Sequence, residues 1–264
     1  MAKILTITNQ KGGVGKTTTC VNLAASLAAT KKRVLMIDLD PQGNATMGSG
    51  VEKHSLEVSA YDVLIDQATA SEAIIKKTPA GYDLIGANGD LTGAEVELLQ
   101  LPRREFRLKM ALAEVEHEYD FILIDNPPSL NLLTVNALSA SDGVIIPMQC
   151  EYYALEGISA LMGTVEKINA RLNPNLVIEG ILRTMYDPRT SLTRDVSEHL
   201  LEHFGDTVYR TVIPRNVRLA EAPSHGMPAL QYDKNSRGAV AYLSLAGELI
   251  RRSKQSQPKR LQEA

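Results

Sequence analysis

Ile4-Leu5-Thr6-Ile7-Thr8-Asn9-Gln10-Lys11-Gly12-Gly13-Val14-Gly15-Lys16-Thr17-Thr18 is the stretch from which the fold can be read. Ile4–Thr8 is a short, β-branched, apolar run of the kind that forms a buried strand. The glycines after it let the backbone curl until successive N–H groups face inward, where they can cradle phosphate oxygens. Thr17–Ala29 then reads as a helix, whose N-terminal dipole favours the same anion. In that setting Lys16 bridges the β- and γ-phosphates of a nucleotide and the Thr17 hydroxyl ligates magnesium, with Gly12, Gly13, Val14, Gly15 and Thr18 completing the cradle. Strand, loop, Gly-Lys-Thr and helix in this order make a P-loop rather than a glycine turn.

Outward from that loop the pattern repeats. Val34–Ile37, Phe121–Ile124, Val144–Pro147 and Leu176–Leu182 read as further buried strands, with weaker ones at Tyr82–Ile85 and Val208–Ile213. Arg103–Glu116, Leu130–Ala140, Leu155–Leu172 and Ser191–Phe204 read as helices, and a closing helix runs from about Gly238 to Arg252. Such alternation predicts an α/β fold: a mostly parallel, twisted sheet with helices on both faces. Residues 1–254 are expected to form a single domain, and 255–264 a basic, flexible tail. Ligands of such sheets sit at the carboxyl ends of the strands, so each functional motif should follow a strand.

Two acidic motifs do. Asp38-Leu39-Asp40-Pro41-Gln42-Gly43-Asn44 follows the second strand, and carboxylates at i and i+2 of an extended segment face the same way. One can serve the metal shell while the other positions or deprotonates water, which assigns Asp38 and Asp40 to the metal and Asp40 also to catalysis. Phe121-Ile122-Leu123-Ile124-Asp125-Asn126-Pro127-Pro128 is an apolar strand ending in a carboxylate, the Walker B arrangement. It places Asp125 where it can orient magnesium. Either motif alone would be an ordinary acidic turn or helix cap.

Composition excludes several classes. Hydrophobic residues are 44% and charged residues 22% of the 264, and no run reaches the roughly 20 apolar residues of a membrane helix. The N-terminal apolar run enters the glycine loop directly, without the pattern of a signal peptide, so a cytoplasmic location is expected. Cys20 and Cys150 belong to no metal-binding cluster. The net charge is -3, but residues 251–264 carry five cations against Glu263, a local surplus that could meet a polyanion.

The loop departs from the usual P-loop in one respect: Lys11 puts a second ammonium beside one triphosphate, more than a monomeric site needs. Here the sequence resembles the deviant Walker A ATPases, with Lys11–Thr17 as signature. Together with 149–157 and 213–226, the motifs resemble the ParA/Soj family of DNA-partitioning ATPases from about residue 2 to 250. The resemblance implies that Lys11 reaches a partner's ATP across a dimer and is catalytic with Lys16 and Asp40. It also implies that Met185, Pro214, Arg215 and Asn216 frame the adenine and that Glu151 lies near the nucleotide across the dimer. It further implies a slow ATPase with Mg2+, an ATP-bound homodimer on non-specific double-stranded DNA, nucleoid association, and stimulation by a ParB/Spo0J-type protein. Arg189, Arg215, Arg218, Lys234 and Arg237 are the candidate phosphate contacts, Arg189 and Arg218 foremost.

Three other readings compete. A small-molecule ligase on the same fold needs an acceptor pocket, for which no further polar cluster is evident. An iron–sulfur ATPase needs paired cysteines on a two-fold axis, which Cys20 in the P-loop helix does not suit. A MinD-like membrane switch needs an amphipathic C-terminal anchor. The tail after Lys254 offers one leucine and a proline, so no membrane is expected.

Overall fold

The computed structural model describes residues 1–152 and 154–255. Of the tail expected at 255–264, all but Gln255 lies outside the described residues. Seven strands form one sheet: β1 Lys3–Ile7, β2 Val34–Asp38, β3 Ile74–Ile75, β4 Asp83–Ile85, β5 Phe121–Asp125, β6 Gly143–Gln149 and β7 Val177–Thr184. Their order is β3-β4-β2-β5-β1-β6-β7, all neighbours parallel except the antiparallel β3–β4 pair. The mostly parallel sheet is therefore as expected.

Alternation along each strand divides the core between the two faces. Leu5, Ile7 and Leu123 pack with Leu23 and Leu27 of the P-loop helix, Lys16–Ala29, and with Tyr242 and Leu245 of the closing helix, Arg237–Gln255. Ile4, Ile122 and Ile124 turn the other way, onto Leu133 and Ala137 of the helix Leu132–Ala140. The central register aligns Ile7 with Asp125 and Asp125 with Asp38, so β1, β5 and β2 end at one level. That level is the carboxyl edge, where the P-loop and both acidic motifs begin.

Two expected elements are interrupted. Arg103–Glu116 is not one helix but 3-10 turns around a short helix, Arg107–Leu112. Asn136 accepts from Leu108 N and donates to Arg104 O, taking polar groups a continuous helix would use itself. Val208–Ile213 is no strand; single bridges at Val208 and Pro214 flank it. There Arg183 binds the Tyr209 carbonyl, and Glu248 accepts from Arg210 N and Thr211 N, so side chains replace the ladder. The Tyr209 ring lies over Gly180 of β7, where a Cβ would come within 2.4 Å of it.

Candidate nucleotide site

The loop after β1 curls as its glycines allow. Gly13 and Gly15 take φ of 73° and 87°, left-handed values that side chains disfavour. A Cβ on Gly12 or Gly13 would touch nothing within 4 Å, so the loop's inner side is open to a ligand. Asn9 Oδ1 accepts from Lys11 N, Gln149 Nε2 donates to Gly13 O, and Thr184 Oγ1 donates to Val14 O. These bonds from three strand ends fix the loop before anything binds. Gln149 follows the same carboxyl-end rule as the motifs, and that rule could have found it.

The two lysines differ. Lys16 is buried, its Nζ 3.1 Å from Lys11 O at the mouth of the loop. Burial pulls its pKa down, against the opposing attraction of Asp125 and Asp40. Lys11 is half exposed and pairs with Glu151 of the same chain.

Asp125 Oδ2 accepts from the Thr17 hydroxyl at 2.7 Å, while Asp125 Oδ1 is buried without a partner. Burial, and next the charge of Asp38, push its carboxyl well above the usual range. The Thr17 hydroxyl is a hard oxygen donor, and the unspent Asp125 oxygen can accept from a water of the ion's shell; both fit a magnesium ion, which takes few protein ligands beside phosphate and water. Among the described residues no group of three or more His, Cys, Asp or Glu could hold a metal unaided.

Asp38 lies beneath the Asp40 turn. It is wholly buried, and its Oδ2 accepts from Thr46 N and Thr46 Oγ1 while Oδ1 accepts from Asp40 N. Both its oxygens are thus engaged, one of them in support of the Asp40 turn. Burial, against the Thr46 hydrogen bonds, holds its pKa up at about 6. Asp40 is half-buried, and its Oδ1 accepts from Gln42 N.

Beside the loop lies a largely apolar cavity of about 220 Å³ lined by Gly15, Thr18, Met185, Pro214, Arg215, Asn216 and Tyr242. It brings together four residues expected around a base. Sequence reasoning missed Tyr242, whose hydroxyl bonds Thr19 of the P-loop helix; a tyrosine in an amphipathic helix carries no mark of a ligand. Glu151 is not in this cavity but at Lys11.

The basic candidates lie between residues 189 and 237, Arg218 and Arg237 on helices. Arg189 forms a two-pronged pair with Asp187. Arg218 meets Glu221 at 2.7 Å and Asp233 at 3.4 Å and lies over the Tyr232 ring. Arg215, Lys234 and Arg237 are exposed. Cys20 and Cys150 are free and buried.

A family model described as "AAA domain" matches residues 2–178. The Bacillus subtilis sporulation initiation inhibitor protein Soj is 57% identical over 249 residues, 94% of this chain and 98% of that protein. The Caulobacter vibrioides chromosome partitioning protein ParA is 50% identical over 259 residues, 97% of each. Among solved structures, Mycobacterium smegmatis cobyrinic acid a,c-diamide synthase with bound ADP and magnesium is 38% identical, covers 97% of both chains and has a TM-score of 0.85. The Pyrococcus furiosus cell division ATPase MinD is 26% identical, covers 95% of this chain and 99% of that one, and has a TM-score of 0.78. With half or more of its residues shared with named partitioning proteins over nearly its whole length, and with their P-loop fold, the chain belongs to the ParA/Soj family of chromosome-partitioning ATPases.

Proposed function

We propose that the protein is an ATP-dependent dimerising switch for partitioning a chromosome or plasmid. Mg-ATP binds in the P-loop, two copies pair around it, and the dimer holds DNA without sequence preference. Slow hydrolysis, stimulated by a ParB-type partner, releases it. The observation that carries this reading is the unequal burial of the two lysines: Lys16 is buried in its own loop, whereas Lys11 is half exposed at the rim. A buried ammonium serves the phosphates of its own chain; an exposed one is free to serve a facing copy.

Each residue has a derivable task. The loop amides and Lys16 bind the β- and γ-phosphates and offset charge that builds in the transition state. Thr17 and, through the ion's water shell, Asp125 would hold magnesium, which would supply charge against the phosphates. Asp40, steadied by Asp38 from below, orients water toward the γ-phosphate. Lys11 adds charge from the partner's side, so that the nucleotide is part of the interface and its hydrolysis loosens the pair. Met185, Pro214, Arg215, Asn216 and Tyr242 close around the base. Arg189, Arg218, Arg215, Lys234 and Arg237 meet DNA phosphates, and pairing two such surfaces strengthens the hold with no new contact. This reading carries nucleoid association with it.

The deciding experiment is DNA binding with ATP, with ADP and without nucleotide, beside light scattering under the same conditions. ATP-specific binding by a dimer is expected; equal affinity in all three states overturns the reading. The synthase name of the Mycobacterium smegmatis relative favours a second reading, an amide-forming ligase. ATP turnover that requires a cobyrinic acid acceptor would support it. A MinD-like membrane attachment would appear as ATP-dependent sedimentation with liposomes. Its anchor would fall in 256–264, outside the described residues, and no described helix is long and apolar enough to cross a membrane.

A further inference from the structure

Five asparagines are buried, and the fold satisfies four of them. Asn9, Asn22, Asn136 and Asn173 each donate to at least one backbone carbonyl. Asn126 does not: it is wholly buried, and neither Oδ1 nor Nδ2 has a partner. Asp125, one residue earlier, has its Oδ1 in the same condition. Of the seven buried side-chain atoms without a partner among the described residues, three thus belong to this one dipeptide. Buried polar groups are nearly always satisfied because leaving them dry costs stability. Such a cost persists where an occupant of the site relieves it.

The dipeptide's position names the occupant's neighbourhood. β5 lies between β1, which leads into the P-loop, and β2, which leads to Asp40. Leu39 N donates to Asp125 O, and Thr17 Oγ1 donates to Asp125 Oδ2, so both flanking loops are tied to this strand end. The amide's chemistry narrows the occupant. A phosphate oxygen would engage only the donor Nδ2, and a cation only the acceptor Oδ1. A water molecule can accept from Nδ2 while donating one hydrogen to the amide Oδ1 and the other to a carboxylate oxygen, satisfying all three atoms at once.

The geometry points to Asn126 as a positioning residue that, in the Mg-ATP state, holds a water shared with Asp125 Oδ1. This rests on the nucleotide reading above. Asn126 fixes where that water stands relative to the γ-phosphate and leaves the grip on the nucleotide to the P-loop.

The test uses the full chain with Asn126→Ala and Asn126→Ser. Asn126→Ala should lower kcat about tenfold or more, since a misplaced reacting group costs rate rather than binding. ATP affinity, read with a fluorescent analogue, should stay within about threefold of wild type, and Tm should not fall, because an unsatisfied amide has been removed. Asn126→Ser keeps a hydroxyl and should recover part of kcat. As a readout apart from activity, the side-chain amide resonances of Asn126, identified by their absence in Asn126→Ala, should shift on adding Mg-ADP but not ADP with EDTA. Wild-type turnover in Asn126→Ala, loss of ATP binding, or resonances indifferent to Mg-ADP each overturn the proposal. No turnover in the wild type would instead remove the ATPase reading beneath it.

Discussion

Lys11 Nζ lies 2.6 Å from Glu151 Oε2 of its own chain, with both side chains about half exposed. A pair this wet contributes only about 0–1 kcal/mol, so a partner's triphosphate can displace it. Lys11→Ala should therefore remain monomeric with ATP in size-exclusion chromatography with light scattering. Glu151→Gln, which only frees the lysine, should still dimerise, its dissociation constant moving by no more than about fivefold. A Lys11→Ala protein that dimerises normally would show that the lysine has another purpose.

Lys16 and Asp40 should separate binding from turnover. Lys16→Ala removes the buried cation facing the phosphates, and isothermal titration should find ATP binding abolished. Asp40→Ala should bind ATP yet lose hydrolysis by about a hundredfold or more and stay dimeric, as removal of a water-orienting group does. Turnover preserved in Asp40→Ala would transfer the water to another group.

Two of the arginines proposed for DNA, Arg189 and Arg218, are already paired. Asp187 grips Arg189 closely enough to hold its own pKa down to about 2, so the carboxylate is fully charged at neutral pH. DNA must displace it. Arg189→Glu and Arg218→Glu should weaken DNA binding while sparing ATP binding and dimerisation. Asp187→Asn should strengthen DNA binding several-fold, most at low salt. Fluorescence anisotropy over a salt series tests all three; unchanged affinity in both charge reversals would exclude this surface.

Gly180 is the place to test packing beneath the site. An alanine Cβ there would press into the Tyr209 ring at 2.4 Å. Gly180→Ala should cost about 1–3 kcal/mol in urea unfolding, the usual range for overpacking. Wild-type stability would mean that Tyr209 can move aside.

Asp38 gives a pH signature. Its folded pKa of about 6 stands above the ordinary carboxylate value because burial disfavours its charge. A raised carboxyl contributes stability that is full below about pH 4 and is lost as pH rises through about 6. Asp38→Asn does not titrate. The Tm of wild type relative to this variant should therefore decline from pH 4 to about 6 and then level off. A constant difference would place the titration elsewhere.

Much of this was legible in the sequence because strand ends carry the chemistry. Asp125 closes an apolar strand, Asp40 stands two residues beyond another, and Lys16 and Thr17 follow a third across the glycine loop; the sheet order then brings these strand ends together. Tertiary partners were not legible. Nothing near Asp38 marks Thr46 as the residue that would take up its carboxylate, and nothing near Val208–Ile213 marks Glu248 as the group that interrupts it.

The cavity proposed for the base is built almost wholly from residues 184–242, and its Tyr242 is bonded to Thr19 near the other end of the chain. The family match stops at residue 178. A fragment cut there would keep the glycine loop but lose Thr184, which holds Val14, and the wall against which a purine could be told from any other group carrying three phosphates. On the reading proposed above, selectivity is a property of the closed chain: the first thirty residues grip, and the last eighty decide what is worth gripping.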